Sequence, residues 1–389
     1  MALKARLWFG VLGLIALGLL IAIYLYYHEP RSRLYNGKTI KAWSMQLQSP
    51  TPVAREEARN VFISLGSNAV SPLCELLAAK DSRIRKFIWA KAGVLPRPVR
   101  VKVMKRLRVP DADATHQAAA QAAALIGPDA AETVPLLLVV LEKNSGDSAW
   151  AAGAALGHMG AAALPGLAKL TLHTNEAVRQ AATMGLGMLG TNAVPAISEL
   201  LDRMSDTNRT IRSVAEQSVA EVGLPATDAL LSTVKGETGI RQQNAARLLG
   251  IIHASRKRSE GPLLQMLKDP DPKSQQAALD ALGALHASSP ETIAAMIEML
   301  KAPDRNVRLA AAHALGEVSW KAQPALPPLI NALSDEDAAV RAVTAATLGK
   351  MGALALPALP SLEQRQNEDA DQLVRTAAKD AIGRINAKP

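Results

Sequence analysis

Apolar residues recur along this chain at a helical spacing, and the whole pattern restarts every thirty-odd residues. In Asp304 to Leu333, DRNVRLAAAHALGEVSWKAQPALPPLINAL, residues Val307, Ala310, Ala311, Ala314 and Leu315 form one stripe of a helix. Asp304 is placed to cap its start, Gly316 and Ser319 to close it, and Pro324 to open a second helix. A hairpin of this kind buries its stripe only by stacking on copies of itself. With Gly316 as marker, equivalent positions are Ile63, Gly93, Ala124, Gly157, Gly187, Ala220, Gly250, Gly283, Gly349 and Gly383, 30 to 34 residues apart. The spacing predicts about ten helical hairpins and a closing half over residues 51–389.

Eight residues before the marker an arginine recurs, as Arg55, Arg85, Arg179, Arg212, Arg308, Arg341 and Arg375; the other copies carry His116, Ala149, Gln242 and Gln275. Four residues earlier still stand Asp81, Asp304, Asp337 and Asp371, and Asp271 before Gln275. The aspartate supplies a cap for amides that lack partners. The arginine can pair either with that aspartate or with the next repeat's. Pro72, Pro135, Pro165, Pro195, Pro324 and Pro357 fall at the starts of second helices, where a missing amide hydrogen costs nothing. The fold class is therefore all-α, an α-solenoid.

Two segments carry a family resemblance: Ala177 to Gly190, AVRQAATMGLGMLG, and Ala339 to Gly352, AVRAVTAATLGKMG, each followed by a turn that reaches a proline. They resemble HEAT repeats of the short, PBS-lyase-like subtype, over roughly residues 51–386. The lead-in Tyr35 to Leu47, YNGKTIKAWSMQL, looks like the start of membrane-attached bacterial HEAT proteins. The resemblance implies an ARM/HEAT-like superhelix. It does not choose among scaffolds, transport receptors, nucleic-acid binders and the few enzymes built on such arrays.

The chain is 49% apolar but only 3% aromatic, so its core is built from alanine, leucine and valine. Its single cysteine, Cys74, lies in the apolar run Leu73 to Leu77, which reads as a buried structural thiol and excludes an intrachain disulfide framework. Leu7 to Tyr27 is uncharged and long enough to cross a bilayer core, with Trp8, Phe9, Tyr24, Tyr26 and Tyr27 at its ends as in interfacial belts. No A-x-A-like site follows, so the expectation is one uncleaved transmembrane helix within residues 1–27. Lys4, Arg6 and the amino terminus before the span nearly balance Arg31, Arg33, Lys38 and Lys41 after it; the short basic tail leans towards an extracytoplasmic solenoid. Residues 28–50 read as a juxtamembrane connector with a capping helix, in which Thr39 caps and Ile40, Trp43, Met45 and Leu47 make contact.

Charge is distributed unevenly. Residues 1–110 hold 19 basic and 5 acidic side chains, whereas the remainder holds 25 and 30. The divergent repeat at 82–110 concentrates Arg83, Arg85, Lys86, Lys91, Arg97, Arg100, Lys102, Lys105, Arg106 and Arg108 with no acid between the first and last. Val99, Val103 and Leu107 form an apolar stripe there, which leaves most of the basic side chains on the exposed face. A solvated face without a ligand is one reading. Anionic lipid headgroups are the next, because a tethered patch is held near the bilayer. Nucleic acid comes behind them, since Phe87 and Trp89 are placed to pack in a helix rather than to stack on bases.

Motifs for chemistry dissolve into the repeat. Gly185 to Gly190 matches G-x-G-x-x-G, but a helix precedes it where a dinucleotide site needs a strand. The seven histidines form no metal-ligand spacing; His253 and His286 share one repeat position, which suggests packing. The His-Glu pairs of the HEAT-like hydroxylase family are represented once, at His28-Glu29 beside the span. No cofactor is expected. The reading is a non-enzymatic, membrane-tethered scaffold that binds protein partners on a concave face lined by second helices. The alternative is a polyanion binder using the basic repeat, and a lyase-type enzyme comes third.

Overall fold

The computed structural model describes residues 34–80, 112–144 and 146–387. The expected membrane span and the basic repeat lie outside them. The chain divides into two compact units, Met1–Leu136 and Leu137–Pro389.

The first unit opens with a feature that hydrophobic periodicity does not reveal. Leu34–Tyr35 and Lys38–Thr39 pair antiparallel across Asn36 and Gly37, both at positive φ, as an Asn-Gly hairpin turn requires. Thr39 then caps the helix Ile40–Gln46 by accepting from the Ala42 amide at 3.1 Å, as expected. Trp43 is buried, donates from Nε1 to the Tyr35 carbonyl at 2.7 Å, and lies under Lys38 Nζ at 4.1 Å. Met45, expected to make apolar contact, is exposed, because it falls on the face opposite Ile40 and Trp43. This short helix packs on the helices Pro52–Leu65 and Ala112–Ile126. Cys74 is half-buried rather than enclosed, with its thiol facing the Gly127–Thr133 turn; burial, then the nearby Glu132 carboxylate, push its pKa up.

The second unit is an α-solenoid. First helices, Asp147–Gly157, Glu176–Met188, Arg209–Val222, Ile240–Ile251, Pro272–Ala284, Arg305–Glu317, Ala338–Met351 and Gln372–Asn386, alternate with shorter second helices such as Ile197–Arg203, Thr227–Gly236 and Arg256–Met266. Side-chain caps come from Asn175, Asn208, Asp271, Asp304, Asp337 and Asp371, at the positions where the repeat places them.

The marker glycine has a different role from the one the sequence suggested. Gly316 sits inside its helix rather than closing it, and a Cβ there would come within 2.8 Å of Thr347 Oγ1 on the next first helix. Gly187 faces Ser218 in the same way, and Gly349 faces Ala381. The close approach allows a hydrogen bond between repeats: Thr347 Oγ1 donates to the Ala312 carbonyl at 2.8 Å, and Ser218 Oγ to that of Thr183 at 3.1 Å. The glycines that turn the chain are those three residues on, Gly160, Gly190, Gly223 and Gly352, all at positive φ. Stacking is looser between Arg209–Val222 and Ile240–Ile251, where the marker is Ala220.

Two described stretches, Ala112–Lys143 and Ala338–Glu368, are apolar and long enough to cross a membrane by length and composition. Each breaks into two helices at a positive-φ glycine, Gly127 or Gly352.

Candidate functional site

The arginine of the repeat occupies the junction between one hairpin and the next. Arg308 donates from Nε and one terminal nitrogen to Asp335, at 2.8 and 3.0 Å, and from the other to the Ala302 and Pro303 carbonyls at 3.0 and 2.9 Å. Arg179 treats Asp206 alike at 2.9 and 3.1 Å, holding the His173 and Thr174 carbonyls. Of the two pairings the sequence left open, the chain uses the one to the next repeat. The acid is not the cap, however, but the aspartate two residues before it. That aspartate is itself fixed, since Asp335 accepts from the Asp337 amide at 2.9 Å and Asp206 from the Asn208 amide at 3.0 Å. The capping Asp337 instead bonds the Ala339 and Val340 amides and pairs with Arg305 at 2.9 Å.

These rungs are short of solvent: the Arg308 side chain is 9% exposed and that of Asp369 1%. The hydrogen bond from Arg341, working against desolvation, holds the Asp369 carboxyl at about 2. Bonding to Asp369 in turn raises the Arg341 pKa.

In the second unit, two junctions keep one half of the pair without the other. Arg212 holds the Asp206 and Thr207 carbonyls, but Gly236, six residues before Gln242, stands where the next acid would be. Asp269 is the converse case. It accepts from the Asp271 amide at 2.8 Å as its counterparts do, yet the residue at the arginine position is Gln242. The Gln242 Nε2 donates to the Val234 carbonyl at 2.9 Å, and its Oε1 is buried with no hydrogen-bond partner. A cleft of about 350 Å³ opens there, lined by Gln242, Asp269, Val234, Met266, Lys235 and Lys268 among others.

A second surface feature lies at the turns between first and second helices. His253 and His286 take positive φ where other repeats have the turn glycine, so their shared position serves backbone conformation rather than burial. His286 Nδ1 is 3.0 Å from the Glu317 carbonyl, and its ring meets that of Trp320 at 5.7 Å, tilted by 52°. Trp320 is 58% exposed, and Leu224 and Leu356, on the same kind of turn, are also exposed.

The anionic-surface candidates Arg83, Arg85, Lys86, Arg97, Arg100, Lys102, Lys105, Arg106 and Arg108 lie outside the described residues. Among the described residues, no group of three His, Cys, Asp or Glu could hold a metal ion. Gly185 and Gly187 are inside a helix and only Gly190 is in a turn, so the glycine-rich match forms no phosphate loop.

A family model described as HEAT repeats matches residues 133–220, 227–316 and 293–383, more than half of the chain. Among curated proteins, none matches the sequence. Importin beta, crystallised in an ammonium sulfate condition, is similar over 90% of this chain and 56% of its own, at 16% identity and a TM-score of 0.46. Kap121p bound to Nup53p matches over 89% of this chain and 45% of its own, at 14% identity and a TM-score of 0.54. Kap121p bound to Pho4p matches over 94% and 47%, with the same identity and score. The chain thus spans about half the length of these proteins, and at such identity the likeness is one of fold.

Proposed function

The chain belongs to the HEAT-repeat family, and from that premise we propose that it is a non-enzymatic scaffold that binds protein partners, tethered to a membrane through Leu7 to Tyr27. The observation that carries this reading is Trp320. A large aromatic side chain left 58% exposed, and steadied by the ring of His286, is the kind of pre-ordered anchor on which protein interfaces concentrate their energy. The second helices, which on this reading line the concave face, offer a polar surface. Arg258 pairs with Asp228 across two of them, and Glu260 accepts from Thr292 Oγ1 at 2.6 Å across the next two. Kap121p, similar in fold, has been solved with Nup53p and with Pho4p, which makes protein binding a use that such an array supports.

A photoreactive residue at the exposed Lys321, in the full chain in native membranes, tests the proposal. The expected result is a discrete protein adduct that disappears in Trp320→Ala while the thermal midpoint is unchanged. No protein adduct, or one indifferent to Trp320→Ala, would contradict it. The tether is tested by removing residues 1–30, which should release the protein from membranes; pelleting after a high-salt wash would count against it.

The run of ten basic residues from Arg83 to Arg108 without an acid supports a second role, docking on anionic headgroups. Reversing Arg100, Lys102, Lys105 and Arg106 to glutamate should then abolish salt-sensitive binding to acidic vesicles. Binding that survives would exclude it.

A further inference from the structure

We infer that the cleft between Gln242 and Asp269 is a slot for the guanidinium group of an arginine on a protein partner, which completes the rung this chain leaves out. The inference rests on the scaffold reading for its partner, and on geometry for its chemistry. At three junctions an aspartate fixed by the amide two residues on receives a guanidinium from the preceding repeat: Asp206 from Arg179, Asp335 from Arg308 and Asp369 from Arg341. Asp269 is held by the same amide contact but receives none. Gln242 stands where the arginine would start, and its side chain turns back to the Val234 carbonyl.

That hydrogen bond also fixes the amide's orientation. Because Nε2 donates to a carbonyl, the buried atom without a partner is Oε1, an acceptor. The residue is 8% exposed, so bulk water does not serve it freely. The polar residues lining the cleft are Asp269, Gln242, Gln265, Lys235 and Lys268, and of these the Asp269 carboxylate, without the guanidinium its counterparts receive, calls for a donor. A planar guanidinium offers donors along two edges and suits a carboxylate in bidentate fashion, which an ammonium does not. A cleft of about 350 Å³ has room for such a side chain. Lys235 and Lys268 are exposed, and among the described residues neither is ion-paired with Asp269.

Met266 lines the cleft, so its methyl group can report occupancy. The full chain, labelled at methionine methyls and with Met266 assigned through Met266→Leu, is titrated with N-acetylarginine amide and with the neutral N-acetylcitrulline amide. A saturable Met266 shift is expected with arginine, and binding at least about tenfold weaker with citrulline. The shift should be lost in Asp269→Asn. It should also be lost in Gln242→Arg, whose new side chain is expected to pair with Asp269 as Arg179 does with Asp206, and to raise the melting temperature. Absence of a saturable shift, equal binding of citrulline, or a response that persists in both variants would overturn the slot. Tighter binding of agmatine than of N-acetylarginine amide would assign it to a free guanidino compound and overturn the partner assignment. The adduct at Lys321 is a separate readout: an adduct without arginine binding removes the slot and leaves the scaffold, and arginine binding without an adduct does the reverse.

Discussion

Arg341 reaches 28 residues along the chain to Asp369, with Nε and a terminal nitrogen each 2.8 Å from one carboxylate oxygen. Its remaining nitrogen holds the Asp335 and Glu336 carbonyls at 2.9 and 3.1 Å. One side chain therefore fixes the loop before its own helix and the loop before the next. Successive hairpins are joined by a specific contact in addition to apolar stacking.

That contact makes stability depend on acid. The folded Asp369 carboxyl is held at about 2 against an ordinary 3.8, chiefly by the bond from Arg341. A depressed carboxylate stabilises the fold above its unfolded value and ceases to do so as pH falls through the folded one. Allowing for solvent screening, its contribution is about 1 to 2 kcal/mol, present at pH 6 and lost between about pH 4 and pH 2. Urea unfolding of wild type and Asp369→Asn should show a gap at pH 6 that narrows by that amount at pH 2. A gap that does not change with pH would mean that the carboxylate is not held by the arginine.

The glycine positions give a paired expectation within one motif. A Cβ on Gly349 would lie 2.9 Å from the Ala381 Cα and 3.1 Å from its Cβ, whereas one on Gly383 would meet nothing within 4 Å. Gly349→Ala should destabilise by about 1 to 3 kcal/mol through overpacking. Gly383→Ala, in an exposed part of its helix, should stabilise by about 0.5 to 1 kcal/mol. Thermal unfolding of both variants checks this, and effects of the same sign would contradict it.

The array itself was legible in the sequence because stacking repeats impose a period on every position that touches a neighbour. The caps at Asp304, Asp337 and Asp371 and the prolines before second helices could be read from local backbone rules. What could not be read so directly were contacts between repeats. Gly316 looked like a helix stop because helix ends favour glycine, and only the approach of Thr347 reveals its other role. The acid partner of the arginine was misplaced by two residues, although a D-x-D or D-x-N triplet at Asp206, Asp269, Asp335 and Asp369 carried the signal. The cleft at Gln242 was out of reach for the same reason, since it is defined by a partner missing from a pairing that had not been recognised. The Asn36-Gly37 hairpin was a readable turn signal, obscured by strands of two residues each.

Both the array and the open position at Asp269 depend on the inter-repeat arginine rung, so a double-mutant cycle on it is the most direct test. Arg341→Ala should cost about 2 to 4 kcal/mol, because it leaves the Asp369 carboxylate buried without its main partner. Combined with Asp369→Ala it should show a coupling of about 1 to 3 kcal/mol, whereas combined with Asp337→Ala, whose side chain pairs with Arg305, the effects should add within about 0.5 kcal/mol. Denaturant unfolding of the three single and two double variants and the wild type measures both cycles. Coupling confined to Asp369 is the result this account predicts; additivity with Asp369, or equal coupling to Asp337, would contradict it.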